Sequence, residues 1–139
     1  MRGLLREEGL EDAVEVDSAG TGDWHIGSPP DARATAAARA RGVTLAGAAR
    51  QIAAADFDDY DLILAADRRN LHDLRALLPA EARAKLHLLR EFDPASAGGD
   101  DLDVPDPYYG GDEGFEHVLD LVEAACRGLL DTLRADGRL

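Results

Sequence analysis

Five apolar residues in a row, Leu62-Ile63-Leu64-Ala65-Ala66, stand between Asp61 and Asp67. A run that short, apolar at every position and bounded by acids reads as a strand buried on both faces. The rest of the chain must therefore cover it on two sides. Asp67 supplies the next element: as an N-cap it opens a helix from about Arg68 to Leu78, with Leu71, Leu74, Leu77 and Leu78 on one face. An aspartate at a strand end can also do chemistry, but the cap explains it fully. Lys85-Leu86-His87-Leu88-Leu89 reads as the last strand, and residues 94–103 as a surface loop. Phe115, Val118, Leu119, Val122, Cys126, Leu129, Leu130 and Leu133 recur at three- and four-residue steps, which predicts a long amphipathic C-terminal helix. Cys126, the only cysteine, lies inside that stripe and reads as a core residue.

The first half is less regular. Residues 1–8 read as a helix closed by Gly9 at the C′ position, but without an N-cap, as though the element began mid-pattern. Residues 13–17 alternate two valines with acids and predict a short strand, followed by a turn at residues 18–22. Ser18 lies at the end of that strand, where open parallel sheets place ligands; it reads equally as a plain turn serine. Pro29-Pro30-Asp31 opens a helix that runs to about Arg41, with Gly42 as its stop. Trp24, the only tryptophan, sits in the glycine- and proline-rich loop between, as a surface ring or a partner contact. His25 beside it reads as solvated, and no metal-ligand spacing surrounds it.

At 139 residues the chain is one domain, residues 1–139, with 45% apolar and 31% charged residues, which are globular values. The net charge of −13 argues against a nucleic-acid partner, whose phosphates call for basic patches. No apolar run approaches the ~18 residues of a membrane span, and the start lacks a signal-peptide layout. The cytoplasm is the expected compartment, with no membrane contact. A single cysteine excludes an internal disulfide framework.

One stretch carries chemistry: Asp103-Val104-Pro105-Asp106-Pro107-Tyr108-Tyr109-Gly110-Gly111. Pro105 and Pro107 fix their own φ and push the residues before them out of the α region, so Asp106 is held extended. Tyr108 and Tyr109 set two rings beside it, and the glycines turn the chain away. From the residues alone, this is either an ordinary turn with half-buried tyrosines or a rigid general acid for an aromatic leaving group.

Asp-Pro-Tyr-Tyr-Gly resembles the acid loop of the low-molecular-weight protein tyrosine phosphatases. Other segments agree in order: Val16-Asp17-Ser18-Ala19-Gly20-Thr21, Trp24-His25-Ile26-Gly27-Ser28-Pro29-Pro30-Asp31, Ala49-Arg50-Gln51-Ile52, Asp56-Phe57, Tyr60-Asp61-Leu62-Ile63-Leu64-Ala65-Ala66-Asp67, Asn70-Leu71 and Phe92-Asp93-Pro94. The resemblance covers essentially the whole chain. It implies an α/β, flavodoxin-like three-layer fold with a parallel sheet of order 2-1-3-4. It further implies hydrolysis of phosphotyrosine in proteins, or of small aryl phosphates, through a phosphocysteine and without a cofactor or metal. Asp106 would be the catalytic acid and base. Trp24, Tyr108 and Tyr109 would line the substrate cleft, and the Ser18 hydroxyl would support the phosphate loop.

Two departures follow. The family's Cys-x5-Arg nucleophile loop is not in these residues: the sixth residue after Cys126 is Thr132. The family often has histidine three residues before Arg50, where this chain has Gly47. The family's first strand, nucleophile loop and opening of the first helix would precede Met1, so Met1 is expected to be internal to a longer protein. On this reading the chain is N-terminally truncated, catalytically inert and without an interior strand. It should then be marginally stable, or self-associate through the unpaired strand at residues 13–17. A non-catalytic remnant or phosphoprotein-binding module is the alternative. An arsenate reductase of related fold ranks third, since it needs further cysteines.

Overall fold

The computed structural model describes all residues except 23–26, 31, 44, 46, 47, 97, 100, 106–111, 138 and 139, and the side chains of 112 and 113. The described elements are α1 (Arg2–Glu7), α2 (Ala32–Ala40), α3 (Asp56–Asp59), β1 (Leu62–Ala65), α4 (Arg68–Leu77), β2 (Lys85–Leu88), a 3-10 turn (Leu89–Phe92) and α5 (Asp112–Ala135).

β1 and β2 pair in parallel, Leu62 opposite Lys85 through Ala65 opposite Leu88, with α4 as the crossover between them. The Asp67 side chain accepts from the Asn70 amide at 2.7 Å, so the N-cap forms and starts α4 directly beyond the strand. Ile63 and Ala65 join Phe57, Leu71, Leu74 and Leu88 in one core cluster. Leu62 and Leu64, on alternate positions, face the other side. Leu77 is a correction: it is 53% exposed. Leu71, Leu74 and Leu78 follow the three- and four-residue steps of one helical face, whereas Leu77 falls off its edge.

α1 ends at a Schellman motif: the Leu10 amide bonds the Leu5 carbonyl at 2.8 Å and the Gly9 amide bonds Arg6 at 3.2 Å. Gly9 takes φ +70°, the left-handed value such a cap needs. Met1 offers no side-chain cap. α5 covers the 3-10 turn and α2, burying Phe115, Cys126, Leu129, Leu130 and Leu133. Between α2 and α5, Arg41 donates to Glu116 at 2.8 Å and to Asp120 at 2.7 Å, and Arg33 lies over the Phe115 ring at 5.1 Å.

The strand expected at residues 13–17 does not form. The segment is irregular and ends in a single parallel bridge, Gly20 to Gln51. A strand exists by virtue of its ladder, and among the described residues 14–17 no amide has a backbone partner. The described sheet accordingly has two strands, against the three that the 2-1-3-4 order leaves to this chain when its interior first strand is absent.

Candidate active site

The segment leading to residue 106 is fastened at several points to the carboxyl end of β1. The Val104 amide bonds the Ala66 carbonyl at 2.8 Å. The Asp103 carboxylate accepts from the Arg68 amide at 2.9 Å, at the N-terminus of α4. Arg90, whose side chain is only 12% exposed, donates Nη1 to the Asp103 carbonyl at 2.6 Å and Nη2 to Ser96 Oγ at 3.2 Å. Ser96 in turn bonds Asp93, a buried carboxylate that also accepts the Ala95 amide. The chain thus arrives at residue 106 from a braced base above a parallel sheet's carboxyl edge, where such sheets bind ligands.

Ser18 and Ala66 line one cavity of about 830 Å³. Ser18 is exposed, and its amide bonds Asp17 Oδ1 at 2.8 Å. Arg50 braces this side: it donates to Asp17 at 3.1 Å and, through two nitrogens, to Asp56 at 2.9 and 3.2 Å. Asp56 also accepts the Ala53 amide at 2.7 Å. Arg50 and Gln51 therefore act structurally, tying residues 17–20 to the start of α3. Trp24, Asp106, Tyr108 and Tyr109 lie outside the described residues, as does Gly47. Cys126 is 6% exposed in α5, as the apolar stripe predicts. Arg90 escaped sequence reasoning, and Asp93 entered it only as part of the Phe92-Asp93-Pro94 match, because each looks like an ordinary charged residue until its partner is known.

The guanidinium of Arg50 holds the Asp56 carboxyl below its ordinary 3.8, with the Ala53 amide adding to the effect against partial burial. A carboxyl depressed on folding stabilises above its unfolded value, and that stabilisation is lost as pH falls through the folded value. Asp56→Asn should cost about 1 kcal/mol near neutrality. Its stability should then fall less steeply than that of the parent chain below about pH 4. Urea midpoints measured from neutral to acid pH check this; parallel curves would refute it.

The sequence profile described as "Low molecular weight phosphotyrosine protein phosphatase" matches residues 1–139. The chain belongs to the low molecular weight phosphotyrosine protein phosphatase family. A relative from Streptomyces coelicolor, a low molecular weight protein-tyrosine-phosphatase, is 51% identical over 134 residues, 96% of this chain and 81% of the relative. A protein tyrosine phosphatase crystal structure from Entamoeba histolytica superposes with TM-score 0.88 at 30% identity, covering 99% of this chain and 86% of the other. A Drosophila arginine phosphatase superposes with TM-score 0.84, also at 30% identity, over 94% and 83%. The α/β phosphatase fold with its parallel sheet is thus established. Among the described residues, no helix is long and apolar enough to cross a membrane.

Proposed function

We propose that this chain serves the hydrolysis of aryl phosphate monoesters, phosphotyrosine in proteins above all, with Asp106 as proton donor and acceptor. In the first step a thiolate attacks phosphorus and the P–O bond to the phenol breaks, while Asp106 protonates the departing oxygen. In the second, Asp106 takes a proton from water as the water oxygen displaces the thiolate and releases phosphate. Trp24, Tyr108 and Tyr109 would flank the ring, which favours an aryl ester over a phosphorylated guanidine. Ser18 would support the phosphate loop through its hydroxyl. What carries this reading is the braced base of residues 101–104 at the carboxyl end of β1, two residues before Asp106.

The nucleophile is not among residues 1–139. Cys126 is the only cysteine, packed in the stripe of α5 and not followed by Cys-x5-Arg spacing. The chain by itself is expected to turn over no substrate. The decisive comparison measures hydrolysis of phosphotyrosine peptide, p-nitrophenyl phosphate and phosphoarginine. It uses the 139-residue chain and an N-terminally extended protein in which a family first strand and Cys-x5-Arg loop are added ahead of Met1. Activity confined to the extended protein, with aryl esters preferred, supports the proposal. An inert extended protein that still binds phosphopeptide would replace it with a phosphoprotein-binding module. Turnover by the 139-residue chain would overturn the assignment of the nucleophile.

A further inference from the structure

α4 starts at the carboxyl end of β1 and turns a basic face to solvent. Arg68 and Arg69 are its first two residues, and Arg68, Arg69, His72 and Arg75 are all exposed. At 3.6 residues per turn these four fall within about 120° of the helix surface, clear of Leu71 and Leu74, which pack in the core. The helix has one acid, Asp73, and none in its first turn. In a chain of net charge −13 this face is a local reversal of sign.

Local stability does not account for these arginines. Cations at the start of a helix oppose its dipole. Among the described residues Arg69 and Arg75 have no ion-pair partner. The Arg68 side chain is 68% exposed and meets only the Asp103 carboxylate, at 3.4 Å, which the Arg68 amide already holds at 2.9 Å. Position gives the face a use. Ala66, directly before the Asp67 cap, lines the same cavity as Ser18, and Asp103 stands three residues before Asp106. The face therefore begins at the rim of the candidate site. It runs away from that rim for about 10 Å between Arg68 and Arg75, the reach of about three residues of extended peptide.

We propose that this face of α4 selects protein substrates whose phosphotyrosine is flanked by acidic residues. Arg68 and Arg69 meet the acids next to the phosphotyrosine, and Arg75 meets those about three residues further along. The rest of the surface, with its excess of acids, repels such a segment, so the basic face sets the direction from which it can approach. Exposed pairs of this kind are individually weak; they choose among substrates rather than hold one tightly. The inference rests on the hydrolase reading and deepens it by naming the sequence class of the substrate.

The test uses the extended protein that carries the nucleophile loop. Its kcat/KM is measured on a phosphotyrosine peptide with aspartate and glutamate at the three positions on either side, on the same peptide with asparagine and glutamine there, and on p-nitrophenyl phosphate. The ratio of acidic to neutral peptide within one protein does not depend on how much of that protein is folded. A ratio of roughly three to ten is expected at low salt from a few exposed pairs, falling towards one as salt screens them. Arg69→Glu combined with Arg75→Glu should bring the ratio below one, through KM rather than kcat. Arg83→Glu combined with Arg127→Glu makes the same change in net charge at arginines already paired elsewhere, with Asp61 and Glu123, and should keep the preference. Equal kcat/KM on the two peptides, or a ratio lowered as far by the second pair of substitutions as by the first, overturns the proposal. Hydrolysis of p-nitrophenyl phosphate without peptide preference removes this inference alone. An extended protein that hydrolyses none of the three removes the hydrolase reading, and this inference with it.

Discussion

Gly128→Ala is expected to lower the melting temperature by roughly 5 °C or more, a loss of about 2 kcal/mol at this chain length. Helix propensity alone argues the other way, since alanine gains about 1 kcal/mol over glycine inside a helix. Packing decides against it. α5 rests on the 3-10 turn so closely at Gly128 that an added β-carbon would fall on the Phe92 carbonyl oxygen, with the Phe92 carbonyl carbon at 2.8 Å and Pro94 Cδ at 3.2 Å. These are backbone and ring atoms that cannot rotate aside. The strain of overpacking, about 1–3 kcal/mol and occasionally more, must be met by moving α5 off the turn that carries Arg90 of the Arg90–Asp103 clamp. Gly3 in α1 is the control, because its β-carbon would meet nothing within 4 Å. Gly3→Ala should hold or raise the melting temperature in the same calorimeter. Equal effects from the two substitutions would show that the close approach of α5 is not rigid.

Asp106→Asn, made in a protein that also carries the nucleophile loop, is expected to reduce kcat by about 10²- to 10⁴-fold on esters of ordinary phenols. The amide keeps the size and shape of the side chain but has no acidic proton to give the leaving oxygen. The loss should shrink for p-nitrophenyl phosphate, whose phenolate departs readily without help. It should also remove the limb of the pH profile that belongs to the acid. Steady-state rates on phenyl and p-nitrophenyl phosphate, measured side by side, read this difference. A uniform loss on both esters would mean that Asp106 shapes the loop rather than donating a proton.

Much of the scaffold around this chemistry was written locally. The five-residue apolar run became β1, Asp67 capped α4 through an amide three residues on, Gly9 and Gly42 ended their helices, and the leucine steps of α5 faced inward. Each signal is complete within a turn or two of its own backbone, so periodicity and capping suffice to read it. Leu77 shows the margin of that method: a helical face is a stripe, and a residue at its edge is placed by what lies opposite.

The remaining features depend on partners distant in sequence. Residues 13–17 have a strand's composition, yet no strand forms, because pairing is supplied by a neighbour and not by the segment itself. Arg90 reads as a surface charge until folding brings the Asp103 carbonyl, thirteen residues on, to its guanidinium. Gly128 reads as a weak point in a helix until the Phe92 carbonyl arrives against it. Sequence determined which segments could be helix or strand, and pointed to Asp106 only by the resemblance of its Asp-Pro-Tyr-Tyr-Gly stretch to an acid loop. Tertiary structure alone decided which edges stayed open and what braced the approach to that residue, because hydrogen-bond partners and close contacts exist only once the chain has brought them together.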